Sequence, residues 1–280
     1  MITIDKPDLE VIEVVEVCKN SMREGNELKE KLAECTTEII SGETVYKQLS
    51  ENKDFHLFPP SEDINGILDH TDMSKIYNEK FVGGAARDFY DQIKLLVIDE
   101  KCPFCGQKNI KEMDHFLPKE KYPILAITPI NLIPICKDCN FIKKSHTPTS
   151  YETILFNPYF DNFNSEKWLK AKVSKSLPLK IKFFIVEDNG IAARDLSRIK
   201  ETFKVLDLAK IYRIEANTEI NNMKYSWKTI YRKKGGFALH ERLREDAESR
   251  REYRVNSWQT ALYEALAESD WFYNDLISNM

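Results

Sequence analysis

Four of the six cysteines occur as two C-x-x-C pairs, Cys102 with Cys105 and Cys136 with Cys139. A tight turn lets both sulfur atoms of such a pair reach one tetrahedral zinc ion, at about 2.3 Å from each. Two pairs together are a strong signal for zinc, whereas one pair alone would be weak. The alternatives are a redox-active pair, which would need a βαβ context that the sequence does not show, and buried thiols without a metal. The spacing therefore predicts a structural Zn²⁺ site.

The thirty residues between the two cysteine pairs contain side chains that suit hydrolytic chemistry. They include the adjacent Asp114 and His115 and then Asn131, while Asn140 follows directly after the second pair. A histidine with its usual pKa near 6.5 is neutral and basic at pH 7, which suits a general base. Carboxylate and amide oxygens are ligands for Mg²⁺, which keeps several water molecules in its shell. These residues thus predict a site that combines an imidazole with a hard divalent cation.

The order and spacing of these motifs, over about fifty residues, resemble those of the HNH endonucleases, also called ββα-metal nucleases. The resemblance implies a metal-dependent endonuclease whose general base is His115, with Asp114 and Asn140 as ligands of one Mg²⁺ or Mn²⁺. It also implies that Asn131 orients the base, through a hydrogen bond to the imidazole. The family name includes a third histidine where this chain has Asn140, and an oxygen donor there favours Mg²⁺ or Mn²⁺ over a second Zn²⁺.

Several other polar residues near these motifs have a less specific pattern. We expect Lys119, Lys143 and Lys144 to contact phosphate groups, although lysines in such positions are by default solvated surface charges. His146 could complete or replace Asn140 as a metal ligand, but it lies six residues further along and is expected to be peripheral. The Asp-His pair within Leu68–Asp72 has no cysteines and no following asparagine motif, and we expect no chemistry there.

The likeness extends to the segments on either side of the cysteine pairs. ARDFYDQI precedes the first pair and FNPYFDNF follows the second. Together with the central motifs, these segments are similar to HNH nucleases of bacterial anti-phage systems of the Septu type, in which an SMC-like ATPase is encoded beside the nuclease. This resemblance implies a protein partner, an SMC-like or ABC-type ATPase, that controls cutting. We expect the NPYFD segment to pack beneath the segment that contains the two cysteine pairs, rather than to place Asp161 near the metal.

Two hypotheses about function follow from these patterns. The first is an endonuclease that acts on nucleic acid, on DNA in preference to RNA or tRNA. The second is a zinc-ribbon module that binds nucleic acid or protein without cutting it. Both interpretations use the cysteines, and they differ in the role of His115.

Charge is distributed unevenly along a chain whose net charge is −4. Residues 1–100 carry 11 Lys and Arg against 22 Asp and Glu, whereas residues 101–254 carry 30 against 19. An acidic surface repels a phosphate backbone, and a basic one attracts it. We therefore assign the acidic part to protein contact or regulation, and the overall net charge does not exclude a nucleic-acid partner.

The elements that must position these residues can be read from periodicity. Apolar residues at helical spacing predict two or three helices over residues 8–50, and helices again from Asp195 to the end with a break at Gly235 and Gly236. LPLKIKFFIVEDNG alternates and predicts a strand or one arm of a hairpin. Asp114 and His115 would point to opposite faces inside a strand, so we expect them near a strand end.

The predicted fold class is therefore α+β: mainly α, with a small ββα-metal finger that a structural zinc ion stabilises. The predicted segments are an acidic helical region, 1–82, an HNH module, 83–165, and a strand followed by helices, 166–280. Cys18 and Cys35 occupy isolated positions on amphipathic helices and are expected in the core. No apolar run approaches the roughly twenty residues of a membrane span, and the start lacks the features of a signal peptide. We expect a cytoplasmic protein without a membrane partner.

Overall fold

The computed structural model describes residues 1–187 and 190–279. The chain divides into two compact units, an amino-terminal unit, Ile2–Asn162, and a carboxy-terminal unit that begins at Phe163. The segments predicted as 1–82 and 83–165 thus belong almost entirely to one unit, and the boundary between them is not a boundary of the fold. The predicted fold class is confirmed, since helices dominate and the described strands form three antiparallel two-stranded sheets.

The amino-terminal unit contains six α-helices and two pairs of strands. The helices are α1 (Val11–Asn20), α2 (Glu27–Glu34), α3 (Thr36–Glu51), α4 (His70–Lys75), α5 (Arg87–Leu95) and α6 (Lys137–Lys143). The strands are β1 (Asp63–Ile64), β2 (Leu68–Asp69), β3 (Glu112–His115) and β4 (Leu132–Ile135). A π-helical segment, Ile76–Val82, continues α4, and single 3-10 turns occur at Phe55–Leu57, Pro123–Leu125, Pro129–Asn131 and Tyr151–Thr153. The first 50 residues therefore hold three helices, as the periodicity predicted.

Helix α1 illustrates why the amino-terminal segment is helical. Its buried residues, Val11, Val14, Val15 and Cys18, recur at the spacing of one helix face. Cys18 and Cys35 are both fully buried in the same hydrophobic cluster, as the sequence predicted. Their thiols therefore serve packing.

The Asp-His pair at Asp69 and His70 has a structural role. Asp69 precedes α4, and its Oδ1 accepts hydrogen bonds of 2.8 Å from the backbone N–H groups of Thr71 and Asp72. Such a side chain satisfies amide donors that have no partner inside the helix. Asp69 is thus a helix cap.

The amino-terminal helices and the segment with the cysteines share one hydrophobic core. This cluster combines buried residues of α1 and the α4 region with Met113 of β3, Leu132 of β4, and Ala126 and Ile127 between the strands. Helix α3 approaches the same loop closely, because a Cβ atom added at Gly42 would lie 2.8 Å from Cγ1 of Ile124. The acidic helices therefore form the packing support of the finger.

The carboxy-terminal unit combines one hairpin with long helices. Strands β5 (Leu169–Ser174) and β6 (Lys180–Ile185) pair antiparallel, and α7 (Ala193–Val205), α8 (Leu208–Tyr253), α9 (Trp258–Ala267) and the short α10 (Ile277–Asn279) follow, with a π-helical segment at Trp271–Leu276. Trp227 of α8 packs edge-on against Tyr263 and Phe272, with ring centroids 6.1 and 5.5 Å away. These contacts join the helices around an aromatic centre.

The predicted break in the last helical region is confirmed at one residue. Gly235 has φ of 80° and ψ of 177°, a conformation that interrupts the helix and that glycine adopts at little cost. The strand predicted from LPLKIKFFIVEDNG is β6, and the last part of that sequence, Asp188 and Asn189, lies outside the described residues. Among the described residues, no helix combines the length and the apolar character that crossing a membrane requires.

Candidate active site

The four cysteines of the two C-x-x-C pairs lie together in the amino-terminal unit. Their sulfur atoms are all within 4.8 Å of one another, and the four side chains are buried. The sulfurs of Cys105 and Cys136 are 3.9 Å apart, close to the spacing of about 3.8 Å expected around a tetrahedral ion with Zn–S distances of about 2.3 Å. Hydrogen bonds with Cys102 lower the pKa of Cys105 and Cys136 and raise that of Cys139, and burial raises the pKa of Cys102 itself. This all-sulfur donor set fits a structural Zn²⁺.

Local backbone geometry brings each pair of cysteines into place. In the first pair, the N–H of Gly106 donates to the carbonyl of Cys102 at 2.8 Å, and Gly106 has φ of 66°, which suits a residue without a side chain. Cys102 in turn donates to the carbonyl of Lys108 at 2.8 Å, which closes a tight hairpin. In the second pair, Cys136 caps α6, and its sulfur accepts from the N–H of Cys139 at 3.4 Å. A metal at this position would fix the start of α6.

Strands β3 and β4 and helix α6 form the predicted ββα arrangement. Asp114 pairs with Ile133 and His115 with Leu132 at the end of β3. A cavity of about 230 Å³ opens beside this strand end and is lined by the predicted residues Asp114, His115, Lys119, Asn140 and Lys144, together with Tyr77, Met113, Pro118, Glu120 and Ser145. The strand end thus brings the neighbouring Asp114 and His115 to one cavity.

His115 is buried and held by two contacts. Its Nε2 lies 2.8 Å from the carbonyl oxygen of Ala126, and its ring centroid lies 4.6 Å from that of Tyr77. Burial lowers the pKa of His115 to about 4, so the imidazole is neutral at pH 7. Because a carbonyl can only accept a hydrogen bond, the proton of the neutral ring is on Nε2, and Nδ1 keeps a lone pair. This tautomer has one nitrogen that can accept a proton.

Asn131 does not make the predicted hydrogen bond to the imidazole. Its Oδ1 accepts from the N–H of Leu117 at 2.8 Å, and its Nδ2 donates to the carbonyls of Leu117 and Leu125 at 3.0 and 3.3 Å. A fully buried amide must satisfy its donors and its acceptor, and the nearby backbone does so. Asn131 therefore braces the loop that carries Ala126, and it is the Ala126 carbonyl that contacts the imidazole.

Asn140 is connected to an acidic residue that sequence reasoning missed. Its Nδ2 donates to Oε2 of Glu112 at 2.7 Å. Glu112 and Asp114 are two residues apart on β3, so both point to the same face of the strand. This i, i+2 spacing was the available signal in the sequence. Because Asn140 donates through Nδ2, its Oδ1 remains an acceptor, and the face offers oxygens from three side chains.

Lys143 is placed differently from the prediction, which assigned it to phosphate. Its side chain is 1% exposed, and its Nζ lies 2.8 Å from Oδ2 of Asp114 and donates to the carbonyl of His115 at 2.9 Å. A buried ammonium requires such partners, and α6 packs this face against β3. Lys143 therefore ties the helix to the strand and is shielded from a ligand outside.

The carboxylate of Asp114 retains capacity to bind a cation. Its Oδ2 is buried and lies 2.8 Å from Nζ of Lys143, in an ion pair without hydrogen-bond geometry. A carboxylate oxygen is a ligand for a hard cation, and a cation bound here would share this carboxylate with the ammonium of Lys143. In the described chain, the cysteines are the one group of three or more His, Cys, Asp or Glu side chains whose ligand atoms are close enough to share an ion. A cation at Asp114 would thus rely on amide oxygens and water.

The two other predicted lysines line the cavity. Lys119 is half-buried and forms an ion pair of 2.9 Å with Glu120. Lys144 is exposed and follows the end of α6, with φ of 50°. Both are placed at the rim, where an anionic ligand could meet them.

His146 and the NPYFD segment lie outside the cavity lining. Nε2 of His146 is 2.8 Å from the carbonyl of Thr153. Asp161 is fully buried and accepts a hydrogen bond of 2.7 Å from the N–H of Asn157. The hydroxyl of Tyr159 donates to the carbonyl of Leu132 at 2.6 Å. The segment thus packs against β4, the strand beside the cavity, and supports it.

Two known proteins are similar to this chain. Protein ea31 of Escherichia phage lambda is 30% identical over 237 residues, which cover 79% of this chain and 80% of that protein. Septu protein PtuB of Bacillus thuringiensis is 36% identical over 77 residues, which cover 25% of this chain and 29% of PtuB. No protein-family model and no solved structure matches the chain. The extent of the first similarity shows that the chain belongs to the family of protein ea31 of Escherichia phage lambda.

Proposed function

We propose that this protein is a metal-dependent endonuclease of the HNH type that hydrolyses phosphodiester bonds of nucleic acid, of DNA in preference to RNA. The observation that carries the proposal is the cavity beside β3, which is lined by Asp114, His115 and Asn140. A phosphodiesterase needs a proton acceptor and oxygen ligands for a divalent cation within one site. The residues that line the cavity supply both.

Each residue around the cavity takes a defined role in the proposal. Oxygens of Asp114 and Asn140 would hold one Mg²⁺ or Mn²⁺, and this ion would supply Lewis-acid stabilisation of the scissile phosphate and the leaving oxygen. Nδ1 of His115 accepts the proton of the attacking water. The carbonyl of Ala126 fixes the ring for this step, and Asn131 fixes the loop that carries Ala126.

The basic residues at the rim contribute to binding. Lys119 and Lys144 line the cavity and interact with phosphate groups of the substrate. The ammonium of Lys143 is buried and does not reach the substrate. It neutralises part of the negative charge of the Asp114 carboxylate. The four cysteines would hold a structural Zn²⁺, which would keep α6, and with it Asn140, opposite β3.

The partial similarity to Septu protein PtuB supports a role in defence. In this role the nuclease works in the cytoplasm with a protein partner, an SMC-like or ABC-type ATPase, that controls cutting. The acidic amino-terminal helices are the surface that we assign to this partner, since their charge disfavours contact with a phosphate backbone.

One observation favours the alternative of a zinc module that binds without cutting. The ammonium of Lys143 lies 2.8 Å from Asp114, where its positive charge opposes the binding of a second cation. The two functions differ in one measurable property, the dependence of cleavage on His115.

A plasmid assay tests the proposed function. Purified protein, His115→Ala and His146→Ala are incubated with supercoiled plasmid and Mg²⁺ or Mn²⁺. We expect the wild type and His146→Ala to cut, EDTA to stop cutting, and His115→Ala to be at least about 100-fold slower. His146→Ala is a matched control, because this histidine bonds to Thr153 and does not line the cavity.

The outcomes separate the hypotheses. Equal cutting by the wild type and His115→Ala would show that His115 is not the base. Binding of DNA without cutting, by a protein that retains its zinc, would favour the binding module. A parallel assay with an RNA transcript determines whether the protein cuts DNA or RNA faster.

A further inference from the structure

The β5–β6 hairpin of the carboxy-terminal unit has one strongly basic face. The face is formed by alternate residues of both strands, which are exposed, and we call it the lysine face: Lys170, Lys172, Lys180 and Lys182. The segment 169–185 contains five lysines and neither aspartate nor glutamate. The opposite face of the hairpin is apolar and packs inward, with Leu169, Val173, Ile181 and Phe183 buried. The charged side chains of the two strands thus all lie on one face.

The register of the strands places like charges opposite each other. Lys172 is the direct cross-strand partner of Lys182. Side chains in such a pair have Cβ atoms about 5 Å apart, and like charges at this position destabilise a sheet. Within the described chain, no ion pair relieves the four lysines of this face. The repulsion between these lysines costs the hairpin stability, and an anionic ligand would compensate for it.

A groove beside β6 continues the positive surface. Its volume is about 1070 Å³, and residues of the hairpin and of the first part of α8 line it. Four of its lining residues are cations, Lys180, Lys182, Lys210 and Arg213, whereas Asp207 is the one carboxylate among them. We call this feature the basic groove.

Helix α8 contributes to the groove along one stripe. Lys210, Arg213, Asn217 and Asn221 recur at three- and four-residue spacing, are exposed, and line the groove. At about 1.5 Å per residue the stripe is about 16 Å long, the rise of about five nucleotides in one strand of duplex DNA. Amides and cations in a row are the donors that phosphate oxygens accept from.

Protection of a sheet edge is the simpler explanation of lysines on a two-stranded sheet. Edge protection needs charge of either sign at the edge, and a mixture of lysine and glutamate would serve without repulsion between Lys172 and Lys182. It also gives no reason for cations on α8, which belongs to no sheet. The excess of positive charge around the groove, four cations against the one carboxylate of Asp207, favours a polyanionic ligand.

We propose that the lysine face and the basic groove bind the phosphodiester backbone of nucleic acid, through charge rather than base identity. This inference deepens the proposed nuclease function and rests on it, because it adds a second contact with the substrate outside the finger. Binding of this kind depends strongly on salt, since each phosphate contact releases counterions.

A binding experiment tests the inference under conditions in which the DNA is not cleaved. All proteins carry His115→Ala and are titrated, without Mg²⁺ or Mn²⁺ and without chelator, into a fluorescein-labelled DNA duplex while anisotropy is recorded at several salt concentrations. The groove variant removes four charges: Lys172→Gln, Lys182→Gln, Lys210→Gln and Arg213→Gln.

Two further variants serve as controls. The first removes the same number of charges from exposed residues of the carboxy-terminal unit that have carboxylate partners: Lys200→Gln, Lys204→Gln, Arg242→Gln and Arg244→Gln. The second keeps the charge of the groove: Lys172→Arg, Lys182→Arg, Lys210→Arg and Arg213→Lys. Circular dichroism checks that each variant is folded.

We expect the groove variant to lose at least about tenfold in affinity, and the slope of log K against log salt to fall by about 0.9 for each phosphate contact removed. Both controls should bind nearly as the parent does. The inference is overturned if the groove variant binds like the parent, if the partnered-charge control loses as much affinity, or if the parent does not bind the duplex. Failure of plasmid cutting with intact groove-dependent binding would instead refute the nuclease function alone.

Discussion

At the scale of single residues, burial determines what a charged side chain does in this protein. Lys119, Lys143 and Lys144 look equivalent in the sequence, yet the structure places one inside and two at the rim of the cavity. The buried Lys143 forms an ion pair with Asp114 and donates a hydrogen bond to the carbonyl of His115. A lysine in that position orders the strand end, and its removal should therefore affect stability before it affects binding.

Substitution of Lys143 tests this difference. Lys143→Met keeps the length of the side chain but leaves the largely buried carboxylate of Asp114 without its counter-charge. We expect the free energy of unfolding to fall by about 1–3 kcal/mol, the cost of leaving a buried polar group without its partner, measured by chemical denaturation. The adjacent Lys144→Met should change it by less than about 0.5 kcal/mol, as exposed positions do. Addition of Asp114→Asn to Lys143→Met should recover part of the loss, and equal stability of the two single variants would contradict this account.

At the scale of elements, helix α3 supports both the start of α1 and the loop between β3 and β4 beside the candidate site. Both carboxylate oxygens of Glu43 accept from the N–H of Val11, at 3.2 and 3.3 Å. Burial, and then a hydrogen bond with Glu10, raise the pKa of Glu43 to about 7. The same helix packs against Ile124 at Gly42. The packing of α3 therefore depends on a carboxyl group that titrates near neutral pH.

The stability of this element should depend on pH. Because the folded pKa of Glu43, about 7, exceeds the usual glutamate pKa of 4.5, the folded state binds more protons than the unfolded state between these values. The contribution of Glu43 is therefore present at pH 4.5 and is lost as pH rises to about 7. Glu43→Gln resembles the protonated form, so its stability should match that of the wild type near pH 5 and exceed it at pH 8.

The measurement is the free energy of unfolding at several pH values. The difference between Glu43→Gln and wild type should grow with pH by at most about 1.4 kcal/mol per pH unit. Glu51→Gln changes an exposed carboxyl of the same helix and should show no such trend. A difference that stays constant from pH 5 to pH 8 would argue against titration of Glu43.

At the scale of the whole molecule, the fold consists of two units that are stabilised by different interactions. The amino-terminal unit has a cluster of four buried sulfurs next to its ββα element, whereas the carboxy-terminal unit is held by long helices around Trp227. A metal that stabilises only one folded unit contributes its binding free energy to that unit. Zinc should therefore be required for the finger in particular.

Removal of one zinc ligand tests this requirement. We expect the wild type to contain about one zinc per chain, measured by elemental analysis, and Cys139→Ala to lose most of it together with thermal stability. Cys35→Ala removes an equally buried thiol outside the cluster, and its zinc content should be unchanged. Zinc retained by Cys139→Ala at the level of wild type would contradict the four-sulfur site.

The sequence by itself determined the features that depend on local spacing. Two C-x-x-C pairs imply turns that direct two sulfurs to one point, and the structure gathers all four. Alternation predicted β6 but did not identify its partner β5. Both strands have six residues, but β6 contains four β-branched or aromatic residues, whereas β5 contains only one, Val173. Helical periodicity likewise predicted the long carboxy-terminal helices and their interruption at Gly235.

Only the tertiary structure decided which groups meet. The contact of His115 with the Ala126 carbonyl, the ion pair of Lys143 with Asp114, and the position of Lys172 opposite Lys182 all join residues that are distant along the chain. Strand register and the packing of α6 on β3 determine these pairs, and neither is a property of one segment. Spacing along the chain fixes which side of an element a residue faces, whereas burial and partners depend on what packs against that side.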